Sequence, residues 1–152
     1  MSKDIVVIAH NIRSLWNIGA VFRSADAFNV SHIHLTGYTA TPPRKEIGKT
    51  ALGAEATVPW SQENDPINVI TQRKNEGYTI VSLELKEGST PLMDFRPEKP
   101  VCIILGHEIL GVPPELMKLS DATVQIPMLG TKNSLNVSVA AGIAFYHFRC
   151  CC

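Results

Sequence analysis

Ile126-Pro127-Met128-Leu129-Gly130-Thr131-Lys132-Asn133-Ser134-Leu135-Asn136-Val137-Ser138, continuing into Val139-Ala140-Ala141-Gly142-Ile143-Ala144-Phe145-Tyr146-His147-Phe148, is the stretch whose reading decides the fold. An apolar strand from Ala122 to Ile126 stops at Pro127 and a polar loop follows. A helix is then predicted from about Ser134, whose hydroxyl can cap the free N–H groups of a first turn. A helix start of this kind favours small polar or anionic ligands. From Leu135 to Phe148 apolar residues cover nearly the whole helix circumference. Such a helix has to be buried, either in the core or against a second copy of the chain. The polar Ser134-Leu135-Asn136 set into so apolar a segment asks for a reason beyond packing.

Upstream, apolar runs of strand length alternate with helical patterns. Asp4 to His10 is a continuous apolar run, the pattern of a parallel strand buried on both faces. After a polar loop, Asn17 is expected to cap a helix carrying Ile18, Val21, Phe22, Ala25 and Phe28 at helical spacing. His32 to Gly37 reads as a second strand, so the chain opens with a right-handed βαβ unit. Residues 38–49 read as irregular, Val58 to Trp60 as a strand piece, and Asp65-Pro66 as the start of a helix ending near Gly77. Thr79 to Leu85 and Val101 to Leu105 are two more buried strands, and Pro113-Pro114 open a short helix. The alternation predicts an α/β fold with a mainly parallel sheet flanked by helices, in one domain over residues 1–152.

Composition narrows the chemistry. Lys plus Arg and Asp plus Glu are both 14, so no global field draws nucleic acid or membrane, and a polyanion has to be held by a local patch. Cys102 lies in an apolar strand, and Cys150, Cys151 and Cys152 are consecutive, with no spacing suited to zinc. A reducing compartment and no metal are expected. No run reaches the ~18 apolar residues of a membrane span, and residues 1–10 do not form a signal peptide, so a cytoplasmic location is expected.

In an open α/β sheet ligands bind at the carboxyl ends of the strands, which directs attention to the loops after His10, Leu85, Leu105 and Ile126. Gly48-Lys49-Thr50 is not a P-loop, because position 43 is proline, and no GxGxxG is present. Leu105-Gly106-His107-Glu108-Ile109-Leu110-Gly111-Val112 places one carboxylate between two glycines suited to tight turns or close approach to a ligand. Glu108 either caps the following turn or belongs to a site. Arg23 has apolar or small neighbours in Phe22, Ala25 and Ala27. It either lies on a solvated helix face or points at an anion or at Glu108. His10 and His107 stand at strand ends.

Three segments, in this order and spacing, resemble the sequence motifs of the SpoU/TrmH branch of the SPOUT RNA methyltransferases. They are Asn17 to Ala27, Leu105 to Val112, and Ile126-Pro127-Met128 through Ser134 to Ala140; Lys49 to Ala54 resembles a looser signature. The resemblance runs from Asp4 to Phe148 and includes no appended RNA-binding domain.

The resemblance implies a C-terminal deep trefoil knot, a homodimer with active sites at the subunit interface, and S-adenosylmethionine bound within the knot. The implied activity is methylation of a ribose 2′-hydroxyl of RNA, tRNA more than rRNA. The implied catalytic set is Arg23, assisting deprotonation or steadying the alkoxide, with Asn17, Glu108, Ser134 and Asn136. Arginine is a poor general base at neutral pH, so electrostatic assistance is the easier role. Glu108 would hold Arg23 or Asn17 in place. The cofactor is expected against Leu83, Gly106, Ile126, Met128, Ser134 and Leu135. Arg13, Arg44, Lys45, Lys49 and Lys132 are the candidates for contacting RNA. The alternatives are an RNA-binding or assembly protein that keeps the fold without transferring a methyl group, and a methyltransferase acting on rRNA or on a base nitrogen.

Overall fold

The computed structural model describes residues 3–152. In chain order the elements are β1 (Ile5–His10), α1 (Leu15–Ala27), β2 (His32–Thr36), α2 (Lys45–Ala51), β3 (Trp60–Glu63), α3 (Pro66–Asn75), β4 (Thr79–Leu83), β5 (Thr90–Pro91), β6 (Val101–Leu105), α4 (Pro114–Leu119), β7 (Ala122–Gln125) and α5 (Val137–Cys150). All seven strands are parallel, in the order β3-β2-β1-β6-β4-β7-β5. The predicted α/β class and parallel sheet are both observed.

Strand β1 explains the layering. All six of its residues are buried, and successive side chains point to opposite faces. Ile5, Val7 and Ala9 join a core with Phe22, Ala25, Ala141, Ala144 and Phe145 of α1 and α5. Val6 and Ile8 join a second core with Val69 and Ile70 of α3 and Leu116 of α4. The sheet is therefore covered on both faces, as continuous apolar strands require. Helix α3 starts as expected, with Asp65 accepting from the Ile67 N–H at 2.9 Å and Pro66 in the first turn.

Four local expectations are corrected. Helix α1 is capped by Ser14, whose hydroxyl accepts from the Asn17 N–H at 3.2 Å; Asn17 lies inside the first turn, with its side chain free for other work. Helix α5 begins at Val137, not near Ser134, and Asn136 caps it by accepting from the Ser138 N–H at 2.9 Å. Residues 45–51 are helical, not irregular. Their buried residues are Ile47 and Ala51, too short a pattern to carry a visible periodicity. Strand β4 ends at Leu83, before Glu84 and Leu85.

Helix α5 runs under α1 and packs on β1 and β6, so its Ala141, Ala144, Phe145 and Phe148 are core. Its other side leaves Val139, Ile143 and Tyr146 exposed, at spacings of four and three. Among the described residues no helix is long and apolar enough to cross a membrane.

Candidate active site

The carboxyl ends of β4, β6 and β7 and the first turn of α5 surround a cleft of about 750 Å³, measured to its open mouth. Leu83, Gly106, Ile126, Met128, Ser134 and Leu135, the six residues expected at the cofactor, all line it. Leu105, Val137 and Ala140 complete its apolar walls. The placement follows from parallel strands, which end on one side of the sheet and leave their loops there.

The loop between β6 and α4 forms one lip. Gly111 has φ of +72°, and its N–H donates to the His107 carbonyl oxygen at 2.9 Å. The loop folds back so tightly that a Cβ on Gly106 would lie 2.4 Å from the Gly111 backbone. Only glycine fits at 106. His107 Nδ1 accepts from the N–H groups of Ile109 and Leu110 at 3.0 and 3.1 Å, so its ring proton sits on Nε2 and the residue braces the loop.

Glu108 points out of this loop toward α1. Its Oε2 accepts from the Arg13 N–H at 3.1 Å, and its Oε1 from the Ser14 N–H at 2.9 Å and the Asn17 amide at 3.3 Å. Burial pushes the carboxyl pKa up, but these donors outweigh it, so Glu108 is held below the usual carboxylate value and stays ionised. Asn17 Oδ1 in turn accepts from the Asn136 amide at 3.1 Å. Asn136 Oδ1 accepts from the Ser138 N–H and hydroxyl. An acceptor-only carboxylate at one end and a backbone donor at the other fix both amide orientations. A single hydrogen-bonded chain thus ties together residues 17, 108 and 136, which lie in three separate stretches of sequence.

Arg23 is not part of that chain. It lies exposed on α1, and the groups holding Glu108 are Arg13, Ser14 and Asn17, so the expected Arg23–Glu108 contact is absent within one protomer. Arg13 and Arg44 line a neighbouring groove, Lys49 and Lys45 are exposed on α2, and Lys132 is exposed in the loop before α5. His10 is turned inward, its Nδ1 2.9 Å from the Thr36 hydroxyl oxygen, and burial lowers its pKa.

Glu84 was not anticipated. It lines the cleft, and its Oε2 accepts from the Val112 N–H at 2.7 Å, clamping the loop after β6 to the end of β4. The strand-end rule that pointed to Glu108 also applies to this first residue after β4.

Residues 4–146 match the SpoU rRNA Methylase family. The chain belongs to that family. It is 32% identical over 145 residues to the tRNA (guanosine(18)-2′-O)-methyltransferase of Aquifex aeolicus, covering 95% of this chain and 68% of that one. The SpoU-family domain superposes on the crystal structure of the A. aeolicus TrmH/SpoU tRNA modifying enzyme with a TM-score of 0.87 and 30% identity, covering 97% of this chain and 75% of that one. On the AdoMet-bound rRNA methyltransferase of Sinorhizobium meliloti the TM-score is 0.90 at 29% identity, covering 98% of this chain and 57% of that one.

The SpoU-family cleft suits S-adenosylmethionine on its own geometry. Apolar walls can take an adenine ring, backbone groups at the ends of β4, β6 and β7 can read the ring's edge, and Glu84 and Glu108 suit a cationic ligand. Lys and Arg are absent from the residues lining it.

Proposed function

We propose that this SpoU-family chain transfers the methyl group of S-adenosylmethionine to a ribose 2′-oxygen of RNA, and that the RNA is a tRNA. The observation that carries the reading is the Glu108–Asn17–Asn136 chain at the rim of a cleft that combines apolar walls with carboxylates suited to a cationic cofactor. The relationship to the A. aeolicus tRNA enzyme supports tRNA. The similarity to the S. meliloti rRNA methyltransferase favours rRNA as the second reading.

A sulfonium cofactor supplies an activated methyl group, so the protein has to align a 2′-oxygen with the carbon–sulfur bond and ease loss of its proton. Leu83, Gly106, Ile126, Met128, Ser134 and Leu135 hold the cofactor. Asn17 and Asn136, oriented by the ionised Glu108, place the ribose, with Ser134 beside them. Arg23 stabilises the developing alkoxide, and it does so in a second copy of the chain. Its exposure on α1, which packs against α5, together with the exposed Val139, Ile143 and Tyr146 of α5, supports a dimer with the site at the interface. The trefoil knot accords with the chain path. Strand β7 lies beyond β4, yet α5 returns across the sheet to pack on α1, β1 and β6.

Calorimetric titration with S-adenosylmethionine and S-adenosylhomocysteine tests the cofactor site. Saturable binding of both is expected, and a folded protein that binds neither would remove the basis for transfer. Complementation tests the shared site. Arg23→Ala and Asn136→Ala proteins, each inactive, should regain roughly a quarter of wild-type activity when unfolded together and refolded, as random pairing in a C2 dimer gives. No recovery would place Arg23 in its own protomer's site.

A further inference from the structure

A second groove lies on the other side of the loop after β6 and shares His107, Glu108 and Ile109 with the cofactor cleft. The rest of its lining comes from Arg13, Trp16, Arg44 and Glu46. The contact between α1 and α2 builds this part of the groove. Gly19 lies so close to α2 that a Cβ would stand 2.0 Å from Thr50 Oγ1 and 2.3 Å from the Ile47 carbonyl oxygen. Thr50 donates its hydroxyl to the Trp16 carbonyl oxygen at 2.7 Å. The basic helix is thereby held against the first turn of α1, and Lys49 Nζ sits 5.7 Å from the centre of the Trp16 ring.

Trp16 is 48% exposed, although an indole gains most from burial. A half-exposed indole in one groove with Arg13 and Arg44, and with Lys49 against its ring, offers what a single-stranded RNA segment needs, a stacking surface for a base and cations for its phosphates. In a chain of zero net charge such a local cluster is the means of holding a polyanion. Because the groove and the cofactor cleft share a wall, a nucleotide seated here is an immediate neighbour of a ribose presented to the methyl group.

We propose that this groove seats the nucleotide adjacent to the one being methylated, its base stacked on Trp16 and its phosphates held by Arg13, Arg44 and Lys49. The proposal rests on the RNA methyltransferase reading above. It adds that substrate choice depends on an unstacked base next to the target, so the RNA is read in a loop or single-stranded region, where bases are free to splay.

The test uses the full chain carrying Trp60→Phe, which leaves Trp16 as the sole indole of the two in the sequence. Titration with bulk tRNA, in the presence of S-adenosylhomocysteine, should quench Trp16 fluorescence and saturate at the same concentration as binding followed by anisotropy. Trp16→Ala should raise the KM for RNA by about 5- to 150-fold, the range of one lost base stack, with cofactor affinity unchanged and Trp16→Phe recovering most of the loss. Arg13→Ala, Arg44→Ala and Lys49→Ala should each lower the slope of log affinity against log salt by about one phosphate contact. RNA binding without a fluorescence change, an unchanged KM for Trp16→Ala, or dissociation of a Trp16→Ala dimer into monomers would overturn the proposal. If the unaltered protein methylates RNA and Trp16→Ala does so at the same KM, this inference alone fails; if the unaltered protein methylates no RNA, the parent reading fails and this one with it.

Discussion

Replacing Asn17 by aspartate changes one atom and inverts one interaction. The Asn17 amide donates to Glu108 Oε1 at 3.3 Å, and a carboxylate there would face a second carboxylate at that distance. Coulomb's law at 3.3 Å gives about 1 kcal/mol in bulk water and about 5 kcal/mol at the effective dielectric of a protein surface. Both groups are partly exposed, so a loss of about 2 kcal/mol is expected for Asn17→Asp at pH 8. The Asn136 contact survives, because aspartate still accepts there. The pair should relieve itself by sharing a proton, which raises one carboxyl pKa in the folded state above its unfolded value. A group shifted in that direction gives stability below its unfolded pKa and loses it as pH rises through the folded one. The destabilisation should therefore shrink markedly at pH 5. Urea denaturation of both proteins at pH 5 and pH 8, followed by circular dichroism, measures this, and the double variant Asn17→Asp/Glu108→Gln should recover part of the loss at pH 8. An Asn17→Asp protein as stable as wild type at pH 8, or a penalty equal at the two pH values, would show that the two side chains do not meet as described.

Arg23→Ala should lower methyl transfer by at least about 100-fold, the cost of losing one donor to a developing oxyanion, while cofactor affinity by calorimetry stays within about twofold. Loss of cofactor binding instead would assign Arg23 a different role. Gly106→Ala drives a methyl group into the Gly111 backbone, so the lip of the cleft must move; a stability loss of about 1–3 kcal/mol and weakened cofactor binding are expected, read by urea denaturation and calorimetry. His34 is a stability probe remote from the site. Burial, with the charges of His32 and Arg73, pushes its pKa down to about 3, so between that value and 6.5 the unfolded chain binds the proton that the folded chain refuses. Stability should fall on acidification below pH 6.5 by up to about 1.4 kcal/mol per pH unit, and His34→Gln should flatten that dependence in urea titrations from pH 7 to pH 5.

The alternation of buried strands and helices was legible because β1 and β6 are nearly continuous apolar runs that can be satisfied only between two layers. The lining of the cleft was legible through strand-end loops and motif resemblance, and the structure gathers those six residues around it. Helix caps were not. Ser14 and Asn17 are both good caps three residues apart, and Asn17 is drawn off by Glu108, 91 residues away, a pairing that no local signal contains. The same competition recurs at Ser134 and Asn136. Helix α2 escaped notice because seven residues with two buried side chains show no periodicity, yet it carries the basic cluster beside Trp16. For Arg23 the apolar and small neighbours on α1 left a solvated face, an anion and Glu108 open; the structure puts it on the exposed side of that helix and away from Glu108, and what it meets is proposed to be supplied by a second copy of the chain.

Methyl transfer itself is the most direct test of the account. The purified protein is incubated with labelled S-adenosylmethionine and, separately, bulk tRNA and rRNA lacking the modification, and the RNA is digested to nucleosides and resolved by chromatography. Label is expected in a 2′-O-methylated nucleoside, from tRNA in preference to rRNA, and at least about 100-fold less of it with Arg23→Ala. Label in a methylated base, or binding of cofactor and RNA with no labelled product, would contradict it.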